Sequence, residues 1–243
     1  MRRGLSLLAV CLSASGCASA AGLSDRGEVI RRIVPSTVQL RAEREGGGRR
    51  AASGVVLASD PKSGRSWILT TRHFLDASLP QQVYVRTPQR KGTVKATVSA
   101  VSPDMDLAVI EVQGLDLPPV KFKEVVRLGD EVWVVAFPWG RRLTLVSGVV
   151  SQIVSDEAEL ALEGPVRMVD ASVSYGASGG GVFDAATGEL VGIVEGYRTA
   201  QVTIPEGSGR VLQIPVPGET TVISSEAILR FLAHSGLEAL ISK

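Results

Sequence analysis

The strongest constraint on this chain is its rhythm: short β-type runs recur at spacings of about 8 to 12 residues, with turn residues between them. Thr37-Val38-Gln39-Leu40-Arg41 alternates, and Gly54-Val55-Val56-Leu57-Ala58 is a compact apolar run. Ser66 to Thr70, Val83 to Arg86 and Leu107 to Val112 continue the series. A second group comprises Glu131 to Ala136, Leu143 to Val146, Val149 to Val154 and Leu190 to Val194. No helix-period segment separates consecutive runs, so a doubly wound α/β fold is disfavoured and an all-β sandwich or barrel is expected. Gly114-Leu115-Asp116-Leu117-Pro118-Pro119 splits the runs into halves of similar strand content, because paired prolines cannot serve in a central strand. Only the C-terminal end has a helical period. There Ser224 or Ser225 can N-cap a helix with Ala227, Ile228, Phe231 and Leu232 on one face, and Gly236 can stop it.

Composition narrows the function classes. The chain has 243 residues and is 44% hydrophobic, which suits one large domain or two small ones with ordinary cores. Lys+Arg 26 against Asp+Glu 25 provides no basic stripe, so no nucleic-acid partner is expected. There is no H-E-x-x-H, no cysteine cluster and only 2 histidines, so no metal and no cofactor are expected.

Residues 1–20 have the character of a signal peptide, with Arg2 and Arg3 ahead of an apolar run from Leu5 to Leu12. That run is well short of the roughly 20 residues a transmembrane helix needs. Two cleavage readings compete. Ala14-Ser15-Gly16-Cys17 resembles a bacterial lipobox, which would cleave before Cys17 and lipidate it; Ala18-Ser19-Ala20 fits ordinary signal peptidase. Cys17 is the lipidation candidate, and a lipid there would be the chain's only attachment to a membrane. With Cys11 inside the leader, the mature domain has no cysteine pair for a disulfide.

The chemistry-bearing candidates are three. Gly176-Ala177-Ser178-Gly179-Gly180 is a turn in which glycines clear the approach to a serine hydroxyl and leave backbone N–H groups free for a developing oxyanion. His73 stands where the run Ile68-Leu69-Thr70 ends, and Asp106 directly precedes Leu107-Ala108-Val109-Ile110. Taken singly, each has an ordinary reading: a glycine-rich turn, a polar strand end, a turn aspartate. Taken together they supply a nucleophile, a base and its orienter.

Several collinear motifs resemble the trypsin-like serine peptidases, and most of all their bacterial HtrA-type branch. Trp67-Ile68-Leu69-Thr70-Thr71-Arg72-His73 is similar to the strand that leads into that family's catalytic His. Asp106-Leu107-Ala108-Val109-Ile110-Glu111-Val112 resembles the segment around its catalytic Asp. Leu128-Gly129-Asp130-Glu131-Val132 through Phe137-Pro138-Trp139-Gly140 resembles the opening of its second barrel. Leu145-Val146-Ser147-Gly148-Val149-Val150 and Gly188-Glu189-Leu190-Val191-Gly192-Ile193 match as well. The resemblance runs from about Pro35 to about Leu232 and keeps the order His, Asp, Ser.

The resemblance implies an all-β fold of two six-stranded antiparallel barrels with a C-terminal α-helix. The peptidase domain would span 28–236, with an N-terminal barrel at about 28–115, a C-terminal barrel at about 120–223 and the helix at about 225–235. It implies an exported serine endopeptidase of the bacterial cell envelope, periplasmic and lipid-anchored or secreted, acting on polypeptides through an acyl-enzyme. Ser178 would be the nucleophile, His73 the general base, Asp106 its orienter, and the N–H groups of Gly176 and Ser178 the oxyanion hole. The primary pocket would be walled by Ser172, Val173, Ser174 and Tyr175 on one side and by Val194, Glu195, Gly196 and Tyr197 on the other.

Three features depart from the family pattern. Ala177 replaces an acidic or amide residue, which excludes activation by pairing with a freed N-terminal amine; activity is then constitutive or set by loop ordering. No peptide-binding domain is expected after the C-terminal helix. Glu195 stands where relatives have a small polar residue near the Asp, and an outward position is expected for it. Ser172 at the pocket base points to small or medium apolar residues at the cleavage site, whereas an inward Glu195 would favour basic ones. Two rival readings remain for comparison. The elbow of α/β-hydrolases, with His234 as base, requires a helix after Ser178, which Gly179, Gly180 and Gly181 disfavour. The alternative on the same fold is a catalytically inactive binding or sensor module.

Overall fold

The computed structural model describes residues 18–44, 47–75, 81–155, 161–203 and 211–241. Twelve strands form two closed antiparallel barrels of six strands each. The first barrel comprises β1 (Thr37–Arg44), β2 (Arg49–Asp60), β3 (Arg65–Thr70), β4 (Gln81–Arg86), β5 (Val94–Val101) and β6 (Ala108–Gln113), in the order β1-β2-β3-β6-β5-β4. The second comprises β7 (Glu131–Ala136), β8 (Thr144–Ile153), β9 (Val166–Asp170), β10 (Gly181–Asp184), β11 (Leu190–Thr203) and β12 (Val211–Ser224), in the order β10-β11-β12-β9-β8-β7. The fold class expected from the strand rhythm and from the resemblance is the one observed.

Closure removes the exposed sheet edges that an open six-stranded sheet would present. Each barrel fills its interior with inward-facing alternate residues. Val38, Leu40, Val56, Ile68, Val85 and Ile110 fill the first barrel, and Val132, Val134, Val150, Val169, Val182 and Val191 the second. A third apolar cluster joins the barrels, with Val55, Leu69, Leu107 and Val109 meeting Val135, Phe183, Leu190 and Ile193. Both barrels therefore feed one shared apolar seam, and the candidate site lies on it.

Two helices close the outside. The C-terminal α2 (Ser225–His234) starts as its sequence suggests: the Ser224 side chain caps it by accepting the Ala227 N–H at 3.2 Å. It buries Ile228, Phe231 and Leu232, each worth about 1.5 to 3 kcal/mol of transfer free energy. Gly236, at φ 67, terminates it. The helix α1 (Ala18–Ile33) has no counterpart in the sequence reading. It docks on the second barrel through buried Val29 and Ile33, with Arg32 Nη2 donating to the Thr187 carbonyl at 2.5 Å. Residues 1–17, which include Cys17 and most of the signal peptide expected at 1–20, lie outside the described residues.

Leu143 to Val146 and Val149 to Val154, read as two separate runs, belong instead to one strand, β8. Gly148 is there for close approach: a Cβ on it would collide with the Asp170 carbonyl oxygen on β9. Glycine marks a turn only when nothing large needs its space.

Candidate active site

His73 enters the site because β3 ends in a single 3-10 turn, Arg72–Phe74, anchored by buried Phe74. The turn puts the imidazole on the surface of the seam, with 52% of the side chain exposed. Asp106 comes from the loop before β6, and β6 pairs with β3 directly, Thr70 opposite Ala108. Adjacent strands thus carry the two residues to one end of the first barrel, where Arg72 N–H donates to the Asp106 carbonyl at 3.2 Å.

Asp106 grips His73 at two points. Its Oδ2 lies 2.6 Å from His73 Nδ1, and its Oδ1 accepts the His73 backbone N–H at 2.7 Å. An ionised carboxylate only accepts, so Nδ1 carries the proton and Nε2 is left as the basic nitrogen. Partial burial works to raise the Asp106 pKa. The hydrogen bonds from the His73 side chain and backbone, with the charges of His73 and Arg72, outweigh it and hold the carboxyl below its ordinary value.

Ser178 belongs to a pair of consecutive tight turns between β9 and β10. Ala177 N–H donates to Ser174 O at 3.0 Å, and Gly180 N–H to Ala177 O at 2.8 Å. The third residue of each turn is a glycine with positive φ, Gly176 at 87° and Gly179 at 80°, as turns of this type demand. The turn is fastened to the other barrel. Ser53, fully buried on β2, donates its N–H to Ser178 O at 2.8 Å and its hydroxyl to Gly176 O at 2.9 Å. Thr70 Oγ1, three residues before His73, donates to Ser53 O at 2.8 Å. Ser178 and His73 therefore hang from neighbouring residues of the paired strands β2 and β3. Among the described residues no hydrogen bond joins the Ser178 hydroxyl to His73, and such bonds are often long before substrate is present.

The backbone accounting around Ser178 leaves a specific remainder. Every carbonyl from Ser174 to Ser178 has a donor: Ala177 N–H, Trp139 N–H, the Ser53 hydroxyl, Gly180 N–H and Ser53 N–H in turn. The N–H groups of Ala177, Gly179 and Gly180 are likewise donated. Those of Gly176 and Ser178 have no acceptor among the described residues. Two undonated N–H groups flanking a serine hydroxyl can bind a developing negative charge.

The residues named as pocket walls lie on both sides of this turn. Ser172 and Glu195 are exposed, Tyr175 is 47% exposed, and Val173, Ser174, Gly196 and Tyr197 are half-buried. Val194 is fully buried in the second-barrel core, and its carbonyl accepts the Gly179 N–H at 2.7 Å. Glu195 occupies an irregularity in the β11–β12 register and borders, with Asp106, Arg167 and Arg230, a cleft of about 430 Å³. Ala177 is 1% exposed and packs into the second-barrel core. Among the described residues no group of three or more His, Cys, Asp or Glu could hold a metal. Ser178 leads into strand β10, not a helix, and the exposed His234 spends its Nδ1 on the Arg230 carbonyl at 2.7 Å, which removes the α/β-hydrolase reading. Sequence reasoning missed Ser53 and Trp139. The small-residue run Ala51-Ala52-Ser53-Gly54 at the start of β2 was the available signal for Ser53.

Two closed six-stranded barrels with a His–Asp pair and a glycine-bounded serine at their junction define the double-barrel hydrolase class. The family model described as the trypsin-like peptidase domain matches residues 52–193, and the chain belongs to that family. A probable periplasmic serine endoprotease DegP-like from Pseudomonas fluorescens is 32% identical over 171 residues, 68% of this chain and 33% of that protein. A DegP-like relative from Ectopseudomonas mendocina is 25% identical over 208 residues, 83% of this chain and 40% of that protein. The chain thus spans a third to two-fifths of the length of these relatives. Among solved structures, the HtrA-type protease AlgW with tripeptide has a TM-score of 0.65 at 23% identity, covering 88% of this chain and 64% of that one. The active form of the Rv3671c protease from M. tuberculosis has a TM-score of 0.63 at 22% identity, covering 97% and 94%. Both share the fold.

Proposed function

We propose that this protein is an exported serine endopeptidase that hydrolyses peptide bonds through Ser178, His73 and Asp106. The observation that carries this reading is the two-point grip of Asp106 on His73, which fixes the tautomer a general base needs. In the proposed cycle His73 Nε2 takes the proton of Ser178 Oγ as the oxygen attacks the scissile carbonyl. The N–H groups of Gly176 and Ser178 receive the oxyanion, each worth about 3 kcal/mol of barrier lowering. His73 then delivers its proton to the leaving amine, and water, deprotonated by the same nitrogen, hydrolyses the acyl-enzyme. Asp106 stays ionised throughout and stabilises the imidazolium.

The substrates are polypeptides. With Ser172 at the pocket base and Glu195 exposed to water, the preferred residue at the cleavage site is small or medium and apolar. Its place is the bacterial envelope, as for the periplasmic DegP-like relatives, with residues 1–16 as leader and Cys17 as lipid anchor. Growth with an alkyne fatty acid labels wild type and not Cys17→Ala if the anchor exists. A fluorophosphonate probe tests the central claim. Wild type should label and cleave casein, and Ser178→Ala should do neither while melting within about 2 °C of wild type, since a surface-half hydroxyl contributes little to stability. A folded wild type that resists the probe would instead establish the inactive binding module.

A further inference from the structure

We propose that Ser53 and Trp139 are positioning residues that hold the Tyr175–Gly176 and Gly176–Ala177 peptides so that the Gly176 N–H stays open to substrate. The inference rests on the catalytic reading of Ser178. A trans peptide is planar, with its C=O and N–H pointing in opposite directions. Fixing the Tyr175 carbonyl therefore fixes the direction of the Gly176 N–H. The Trp139 N–H does this with a 2.7 Å bond to Tyr175 O. Rotating this peptide by half a turn would point a carbonyl where the N–H now points, and the oxyanion hole would be closed.

The next peptide is held from the opposite barrel. Ser53 Oγ donates to Gly176 O at 2.9 Å and accepts the Phe137 N–H at 2.8 Å. One fully buried hydroxyl thus joins β2, the turn after β7 and the turn before Ser178. The junction has no slack: a Cβ on Gly176 would lie 2.8 Å from Trp139 N and 3.1 Å from Phe137 O.

Trp139 is held in an unfavourable backbone state to serve this bond. At φ 58 and ψ 16 it is the only residue other than glycine with positive φ among the described residues. A Cβ disfavours that region, and such states persist at functional sites when the surroundings impose them. Its φ sets the plane of the Pro138–Trp139 peptide and so the aim of the N–H. Core burial does not explain the state, because the residue is 64% exposed; its ring pairs with that of Tyr175, at 5.4 Å between centroids.

The test separates transition-state from ground-state effects on a fluorogenic peptide. Donors to an oxyanion act on kcat, not on substrate affinity. Ser53→Ala should lower kcat by about 10- to 100-fold with KM within twofold, since removing a whole oxyanion donor costs about 10²–10³. Affinity for a peptidyl trifluoromethyl ketone, whose adduct carries an oxyanion, should fall by the same factor, while that for a product peptide is unchanged. Trp139→Val, β-branched and ill-suited to positive φ, should behave alike. Trp139→Asn, a residue enriched there, should retain at least about tenfold more kcat than Trp139→Val. If Ser53→Ala does not fold, the exposed Trp139 series decides. Folded variants with kcat within twofold of wild type, losses confined to KM, or Asn no better than Val would overturn the proposal. Wild type inert to substrate and ketone alike defeats the catalytic reading and this one with it.

Discussion

Asp106→Asn gives the sharpest test of the site, because the structure dictates which way the new amide must face. Asp106 Oδ1 accepts the His73 backbone N–H at 2.7 Å. In the variant, only the amide oxygen can occupy that position; turning the NH2 there would set donor against donor. The NH2 group is therefore left facing His73 Nδ1, where Oδ2 now lies 2.6 Å away. To accept from it, Nδ1 must lose its proton, and the proton moves to Nε2. The nitrogen that should deprotonate Ser178 is then already protonated. A wrong tautomer of this kind costs about 10⁴ in kcat, or roughly 5.5 kcal/mol of barrier. The variant should still fold, since the side chains have the same shape and both hydrogen bonds persist, but at neutral pH it lacks the stability that the Asp106 charge adds. Stability should differ in its pH dependence. The lowered pKa of Asp106 adds stability that is present above the ordinary carboxylate range, near pH 4, and is lost as pH falls through the lower folded value. Wild type should therefore lose that increment in acid, while Asp106→Asn does not. The assay is kcat from pH 6 to 9 beside thermal melts from pH 3 to 7. Retention of activity within tenfold of wild type would refute the tautomer argument.

Three further outcomes follow from the same geometry. Asp184→Ala should destabilise the protein by at least about 2 kcal/mol in urea melts, because it unpairs two backbone N–H groups and leaves the half-buried Lys123 with the Asp130 carboxylate, 3.9 Å away, as its remaining charge partner among the described residues. Asp184 Oδ2 accepts from Lys123 Nζ at 2.6 Å, and its Oδ1 accepts the Ala186 and Thr187 N–H groups at 3.0 and 2.7 Å. Gly179→Ala should lose at least about 2 kcal/mol and nearly all activity, since its φ of 80 disfavours a Cβ that would also strike the Ser53 carbonyl. Arg127→Ala, by contrast, removes an exposed pair with Glu163 and should leave the melting temperature within about 1 °C.

The all-β class, the terminal helix and the His73–Asp106 juxtaposition were legible because they depend on local pattern or on short collinear motifs. β12 was not legible. Its exposed stretch from Val211 to Pro215 pairs antiparallel with β11 and has no buried face to impose alternation. β10 was hidden for the opposite reason: at four residues, all buried, it shows no period at all. Helix α1 is read poorly because its buried apolar residues among those described, Val29 and Ile33, are four apart and stand among arginines and glycine. The support beneath the candidate site was invisible for a different reason. Ser53 acts by hydrogen bonds to Phe137, Gly176 and Ser178, residues more than 80 positions away, and nothing in its neighbours announces those partners.

That last point bears on how stability and activity are partitioned in this fold. Asp184 closes β10 at the end away from Ser178, so its loss lowers the whole stability curve but leaves the contacts of Ser53 untouched. Far enough below its melting temperature, Asp184→Ala should turn over substrate like wild type. Ser53 joins the barrels at the Ser178 turn itself, so a perturbation there should misdirect the Gly176 N–H, the proposed oxyanion donor, before it unfolds anything. The two barrels each fold around their own core, yet neither contains a complete site: His73 and Asp106 belong to one, Ser178 and Gly176 to the other. Activity therefore reports on the seam, and melting reports on the cores. Variants along the seam should scatter away from any single relation between kcat and melting temperature, whereas core variants should change the melting temperature alone.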